Sequence, residues 1–128
     1  MQKIIFIAAG GAIGATMRYL IFGFVEKFTQ GVFFWETLTV NVLGSFLAGL
    51  LWGIFESFSV SPNIRLFIFV GVLGALTTFS TFSLETFYLM RDGHIKLALL
   101  NILANNVLCI GFVFVGFFLS KPLISIIK

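Results

Sequence analysis

The sequence predicts an all-α integral membrane protein with four transmembrane helices in one domain. Charged residues make up only 10% of the 128 residues, and the mean hydropathy is +1.12. Soluble domains, in contrast, are about one quarter charged. Four long apolar stretches are separated by short polar connections. Each stretch reaches the roughly 20 residues that a transmembrane helix requires, and the connections leave no room for a soluble domain.

The four predicted helices follow one another closely along the chain. They cover residues 4–25, 33–55, 63–90 and 97–120. The amino terminus imitates a signal peptide, but no convincing small-residue cleavage site follows it, so we expect the first helix to be retained. Pro62 fits the first turn of the third helix, where a missing backbone N–H costs little.

The third helix is too long for a straight span. Residues 63–90 would extend on the order of 40 Å as one α-helix, against about 30 Å of hydrocarbon. Gly74 stands shortly before the β-branched pair Thr77 and Thr78, which favours a break at this point over a strong tilt. Such a break either frees carbonyl oxygens for a cation or exposes N–H groups to an anion.

The charges at the helix ends give no preferred orientation in the membrane. The amino terminus, second loop and carboxy terminus share one side, which carries Lys3, Arg65, Lys121 and Lys128. The other side carries Lys27, Arg91 and Lys96, with Arg18 in the half of its helix nearest that side. Under the positive-inside rule, this balance predicts either an antiparallel dimer of oppositely inserted copies or a small bias that orients every copy alike.

Polar side chains follow one face of each of the last three helices. The second helix carries Thr37, Asn41 and Ser45 at i, i+4 and i+8, and the fourth carries Asn101, Asn105 and Cys109 at the same spacing. The third carries Ser80 and Thr81 beside Phe79 and Phe82. Interhelical hydrogen bonding explains any one of these side chains. Three such stripes in one short chain favour a polar path through the membrane.

The chemistry of this path favours a small anion. Its residues are neutral, whereas cation routes commonly show acidic rings or carbonyl filters. Amides and hydroxyls can donate hydrogen bonds to an anion, and the positive edge of a phenylalanine ring can face one. Arg18 and Glu85 are the charged residues expected within the membrane. Arg18 either concentrates anions at a mouth, snorkels to the interface or pairs with an acid, and Glu85 is assigned to a vestibule.

Other classes of function lack the residues that they need. No clustered basic face indicates nucleic-acid binding, and the single Cys109 excludes an internal disulfide. No Cys/His spacing is that of a metal site, so we interpret His94 as a solvated loop residue. Since no Ser-His-Asp set, carboxylate pair or phosphate-binding loop is present, the chain is not expected to be an enzyme.

Three motifs, in this order, make the whole chain resemble the Fluc (CrcB-type) family of fluoride channels. The first helix carries GGxxGAxxRY at residues 10–19, and the second carries TLxVNxxGSFxxG at residues 37–49. The third carries GxxGAxTTFSTFSxE at residues 71–85. The resemblance implies a passive fluoride-selective channel that lets fluoride leave the cytoplasm across a bacterial plasma (inner) membrane. It also implies an antiparallel, dual-topology homodimer.

The family's functional residues map onto positions of this chain. The resemblance implies a structural Na⁺ at the dimer interface, held by the backbone carbonyls of Gly74 and Thr77 from both subunits. The implied fluoride pathway consists of Phe79, Phe82, Asn41, Ser80 and Thr81. In the fourth helix, the pathway is assigned to Asn101 and Asn105, which stand where many relatives carry a tyrosine and a serine. The chain departs from the family there, although amides can still donate to fluoride.

Two other functions remain as alternatives. A proton-coupled small multidrug transporter is also small and four-helical, but it needs a carboxylate in the middle of the first helix, where residues 4–17 have none. The chain can also be a non-conducting subunit of a heterodimeric channel. Fluoride release from liposomes without a pH gradient separates the channel from both.

Overall fold

The computed structural model describes residues 1–127, and over this range every element of regular structure is a helix. Four helices are long and apolar enough to cross a membrane: Gln2–Glu26, Trp35–Ser57, Pro62–Arg91 and Ile95–Ile127. We call these helices the first to fourth spans. The prediction of an all-α chain with four spans is confirmed. The fourth span runs through Pro122 to Ile127, beyond the uncharged stretch that suggested an end at Ser120.

The third span is built from several helical segments. Ser61 caps its start, because its hydroxyl accepts a hydrogen bond from the amide of Ile64. The backbone of Thr77 and Thr78 is extended, with ψ values of 157° and 113°. The segments in order are α-helical Pro62–Arg65, π-helical Leu66–Leu73, α-helical Gly74–Leu76 and α-helical Phe79–Arg91.

Glycines allow the second and fourth spans to form the most extensive helix pair of the fold. A Cβ atom on Gly49 would meet the carbonyl oxygen of Val113, and one on Gly116 would meet that of Phe46. Backbones this close exclude any side chain at the crossing. In a membrane, where apolar burial drives association only weakly, such close packing holds helices together.

The first span packs against the beginning of the third in the same way. A Cβ atom on Gly10 would meet the carbonyl oxygen of Phe67, and one on Gly14 would meet that of Val72. These contacts place the first span beside the π-helical segment. The four spans thereby form one bundle, with the interrupted part of the third span held between the first and the second.

The interior of the bundle is rich in polar side chains. Large apolar side chains such as Leu20, Leu103 and Phe114 cover the outside instead. Since hydrocarbon offers no hydrogen bonds, the interior polar groups must bond to one another or line cavities. The buried polar residues of the described chain are Thr37, Asn41, Thr78, Glu85, Thr86, Asn101, Asn105 and Ser120.

Candidate functional site

The side chain of Asn41 binds the interrupted backbone of the third span. Its Nδ2 donates to the carbonyl oxygen of Thr78 at 3.1 Å, and its Oδ1 accepts from the amide of Thr78 at 2.8 Å. An asparagine amide can do both because it carries a donor and an acceptor. In a continuous α-helix the Thr78 amide would donate to the carbonyl of Gly74. Asn41 therefore supplies a partner that the helix has lost.

From Asn41, a chain of hydrogen bonds runs through the bundle. Its Nδ2 also donates to Oδ1 of Asn105 at 3.0 Å. Nδ2 of Asn105 donates to Oδ1 of Asn101 at 2.9 Å and to its carbonyl oxygen at 3.1 Å. Nδ2 of Asn101 donates to Oγ1 of Thr86 at 3.0 Å, and that hydroxyl donates to the carbonyl of Phe82 at 2.8 Å. We call this series the amide chain.

Each side chain of the amide chain donates a hydrogen bond to the next one, from Asn41 to the carbonyl of Phe82. Such alignment polarises each bond in favour of the next. Each amide nitrogen carries two hydrogens, and Asn41 and Asn105 use both of theirs. A ligand that takes a hydrogen bond from either side chain must therefore displace an oxygen that already accepts one.

A pocket of about 250 Å³ opens beside the amide chain. Four of the predicted pathway residues line it, namely Asn41, Phe79, Phe82 and Asn105. The rings of Phe79 and Phe82 lie with their centroids 5.2 Å apart and their planes at 57°. Phe82 is only 6% exposed, whereas Phe79 is 75% exposed on the surface of the single chain. The pocket thus brings amides and aromatic rings together.

Ser80 and Thr81 lie outside this pocket, at the start of the helix Phe79–Arg91. Oγ1 of Thr78 accepts from the amide of Thr81 at 3.2 Å and donates to its hydroxyl at 2.9 Å. The hydroxyl of Ser80 lies 3.3 Å from the same Thr78 oxygen. This arrangement is a helix N-cap, which supplies an acceptor for an amide that has no partner within the helix.

The predicted cation-binding carbonyls lie at the same interruption, next to Arg18. Nη1 of Arg18 lies 3.5 Å from the carbonyl oxygen of Thr77, and Gly74 is exposed on the surface of the chain. Because the backbone of Thr77 is extended, its carbonyl does not point along the helix axis as it would in an α-helix. Arg18 therefore sits against the interrupted backbone.

Glu85 lies apart from the pocket and contacts a different cavity. Its Oε1 accepts a hydrogen bond from the hydroxyl of Thr37, and its side chain is 7% exposed. It lines a cavity of about 400 Å³ together with Glu26 and Glu36. Sequence analysis did not single out Thr86 or Glu36. Thr86 stands four residues after Phe82, a spacing that puts both on one helix face and could have indicated it.

Fold and site together define a multi-pass membrane protein with a hydrogen-bonded polar interior. The chain matches the family described as CrcB-like protein, Camphor Resistance (CrcB), over residues 5–117. It is 44% identical over 128 residues, the whole of both chains, to the fluoride-specific ion channel FluC of Parabacteroides distasonis. The chain therefore belongs to the CrcB-like family, and the resemblance seen in its motifs is confirmed.

Proteins of the same description in two Shewanella species are similar to this chain. Identity is 47% with the protein of Shewanella piezotolerans and 48% with that of Shewanella loihica. Each alignment spans 116 residues, which are 91% of this chain and 94% of the relative. The likeness therefore extends over nearly the full length.

Replacing Asn105 by leucine tests the amide chain. Asn105→Leu leaves a hydrogen of Asn41 and an acceptor oxygen of Asn101 without a partner. Each unpaired group lowers the free energy of unfolding by about 1–3 kcal/mol. We expect a clearly lower melting temperature for the purified protein in detergent. The matched control is Asn106→Leu, because Asn106 is exposed and donates only to the carbonyl of Ile102 in its own helix. Equal melting temperatures for the two variants would contradict the interpretation.

Proposed function

We propose that this chain forms a fluoride-selective channel through which fluoride leaves the cytoplasm passively. The observation that carries the proposal is its 44% identity, over the full length of both chains, to a protein described as a fluoride-specific ion channel. The amide chain and the adjoining pocket support it, because they offer neutral donors in a buried setting. A bacterial inner membrane is the proposed location.

The amide chain suits a small, strongly accepting anion. An anion that reaches Asn41 or Asn105 has to replace an amide oxygen as the acceptor of an N–H group. Hydrogen bonds to a charged acceptor are roughly twice as strong as neutral ones. Fluoride is compact enough to take the place of one oxygen atom. A large, weakly accepting anion would break the bond without replacing it, so the exchange favours fluoride.

Phe79 and Phe82 are proposed to contact the ion where it passes the pocket. The edge of a phenyl ring is positive and its face is negative, so a ring edge attracts an anion. Both rings line the pocket beside the amides of Asn41 and Asn105. Ser80 and Thr81 take part in the proposed pathway through the hydroxyl cluster at the helix start, and Asn101 takes part through the amide chain.

We expect Phe82→Ile and Phe79→Ile each to reduce fluoride efflux from proteoliposomes by about two- to tenfold. Losing the aromatic edge removes about 0.5–1.5 kcal/mol of interaction, and 1.4 kcal/mol corresponds to tenfold. A fluoride electrode measures the release, without a pH gradient. The matched control is Phe87→Ile, on the same helix, whose ring is 57% exposed.

Wild-type efflux in both variants would remove the rings from the pathway. If the wild-type protein releases no fluoride but accumulates drugs against a proton gradient, it is a multidrug transporter. If it does neither, it is the non-conducting subunit of a heterodimer.

We further propose that two copies assemble as an antiparallel homodimer. The supporting observations are the balanced charges at the helix ends and the exposure of Phe79. A ring that is 75% exposed beside a polar pocket would face lipid in a single chain. A second copy packed there would close the pocket and enclose the ring.

A pair of single-cysteine variants tests the topology. With Cys109→Ser as background, Gln30→Cys and Ser59→Cys place one thiol in the first loop and one in the second. We expect an impermeant maleimide to label about half of each population from outside, because the charges favour neither orientation. Permeabilisation should expose the remaining half. If one variant labels fully and the other not at all, every copy has the same orientation.

A Na⁺ ion held between the two copies is proposed at the carbonyls of Gly74 and Thr77. The residues fit such an ion. The Thr78 amide donates to Asn41 rather than to Gly74, and the Thr77 carbonyl accepts from Arg18 at the long distance of 3.5 Å. Both carbonyls thus keep lone pairs for a cation. When bound, Na⁺ would supply a positive charge that joins the two interrupted spans.

We expect Na⁺ to raise the melting temperature of the purified dimer. Binding to the folded state alone stabilises it by about 2.7 kcal/mol at a ligand concentration one hundred times the Kd. The melting temperature is compared in Na⁺, K⁺ and N-methylglucamine at equal ionic strength. A saturable rise in Na⁺ alone is the expected result, whereas equal temperatures in all three would contradict a sodium site.

A further inference from the structure

A groove opens on the outside of the bundle between the second, third and fourth spans. Its volume is about 410 Å³, within the range of about 300–1,000 Å³ that is common for ligand pockets. Trp52 and Glu56 line it from the second span, Phe69 from the third, and Val113 and Phe117 from the fourth. Apart from the carboxylate of Glu56 and the N–H of Trp52, these side chains are apolar. We call this space the lateral groove.

The lateral groove exists because two parts of the bundle do not meet. Within residues 1–127, the π-helical segment Leu66–Leu73 packs against the first and second spans but not against the fourth. Phe69 of this segment faces the second span, where its ring centroid lies 5.6 Å from that of Trp52 and 5.8 Å from that of Phe55. An empty groove would forfeit dispersion contacts along its walls, so in a bilayer an acyl chain or another helix fills it.

The end of the lateral groove that carries Glu56 lies at the membrane interface. Residues 97–120 are uncharged and measure about 36 Å as an α-helix, slightly more than the roughly 30 Å of the hydrocarbon core. Lys121 therefore stands at the boundary of this core. A Cβ atom on Gly53 would meet the hydroxyl oxygen of Ser120. This contact places Glu56 at the same boundary as Lys121.

Two opposite charges flank the lateral groove at this boundary. Oε1 of Glu56 accepts a hydrogen bond from Nε1 of Trp52 at 2.7 Å, which holds the carboxylate at the rim. Nζ of Lys121 lies 5.7 Å from the ring centroid of Phe117 and 5.1 Å from that of Phe118. Both charged residues are exposed, and within residues 1–127 neither forms an ion pair. Each charge can therefore engage a ligand.

We propose that the lateral groove binds a molecule of phosphatidylethanolamine. One acyl chain fills the apolar floor, the phosphate lies at the ammonium of Lys121, and the ammonium of the lipid lies at the carboxylate of Glu56. The headgroup supplies both of the opposite charges that these side chains lack, and hydrogen bonds between charged groups are stronger than neutral ones. An acyl chain in this position contacts both Phe69 and Phe117, so it joins the third span to the fourth.

The carboxylate of Glu56 selects the ethanolamine headgroup. A primary ammonium carries three donors, and a carboxylate offers about four acceptor sites, of which Trp52 uses one. A choline headgroup has no N–H to donate, and a glycerol headgroup carries no positive charge. Both of these lipids keep the phosphate, so Lys121 alone would not distinguish the three.

A second copy of the chain is the other candidate occupant. The homodimer proposed above uses the surface around Phe79, whose pocket includes Asn105. Phe117 stands twelve residues after Asn105, or about 18 Å further along the fourth span. The lateral groove thus lies well away from the surface on which the dimer proposal rests, and the charges at its rim match a zwitterionic headgroup.

Native mass spectrometry of the purified protein tests the lipid preference. The protein in detergent is mixed with equal amounts of phosphatidylethanolamine, phosphatidylcholine and phosphatidylglycerol that carry the same acyl chains. We expect the wild-type protein to retain more phosphatidylethanolamine than either of the other lipids. Glu56→Gln should reduce this preference about two- to fivefold, because an exposed charge pair contributes modestly. Lys121→Gln should reduce the retention of all three lipids.

The matched controls are Glu26→Gln and Lys96→Gln. They make the same two changes at exposed residues at the other end of the bundle, so the preference should stay that of wild type. Equal retention of the three lipids by the wild-type protein, or the same preference in wild type and Glu56→Gln, would overturn the proposal. Preferential retention of phosphatidylglycerol would also overturn it, in favour of a surface for anionic lipids that depends on Lys121.

A phosphatidylethanolamine with a photoactivatable acyl chain locates the site. Irradiation should label peptides that contain Phe69 or residues 113–117, and unlabelled phosphatidylethanolamine should suppress this labelling more than phosphatidylcholine does. Labelling confined to other parts of the chain would contradict the proposal. Dimers that retain no lipid would assign the lateral groove to a second copy instead. All of these measurements are independent of fluoride transport.

Discussion

The two-way hydrogen bond between Asn41 and the backbone of Thr78 is the interaction on which the arrangement of the polar interior depends. An interrupted helix inside a bilayer leaves peptide groups that neither lipid nor water can satisfy. Asn41 satisfies both the amide and the carbonyl of Thr78 with a single side chain. Without this substitution for helical hydrogen bonds, the extended backbone at Thr77 and Thr78 would cost several kcal/mol. The interruption is stable because a neighbouring helix supplies its partners.

The same bond places limits on how an ion can use the site. Asn41 has no hydrogen to spare, because one holds Thr78 and the other holds Asn105. Nor does Asn105, whose two hydrogens both reach Asn101. In the proposed pathway, an anion that takes a hydrogen bond from Asn41 or Asn105 would replace an internal acceptor, and the chain would re-form afterwards. In the proposed pathway, an acceptor the size of an oxygen atom would fit this exchange best.

Periodicity predicted the faces of the helices but not the partners of their side chains. Hydropathy identified the four spans, and the i, i+4 spacing of Asn101 and Asn105 correctly predicted that they share a face. Their direct contact with each other and with Asn41 depends on how far apart the helices lie and how they are rotated. Close contacts at glycines, such as that between Gly49 and Val113, determine both. The spacing of Thr86 after Phe82 could have placed it on the same helix face, but its contact with Asn101 could not be predicted before the packing of the third and fourth spans was known.

The charged residues within the spans occupy separate parts of the bundle. Arg18 contacts the interrupted backbone at Thr77, whereas Glu85 lines the cavity that it shares with Glu26 and Glu36. A positive charge beside the interruption favours an anion at the level of the amide chain. Ionised carboxylates in the cavity of Glu85 have the opposite effect on an anion. Because hydrocarbon screens charge poorly, both effects are stronger inside the spans than they would be in water.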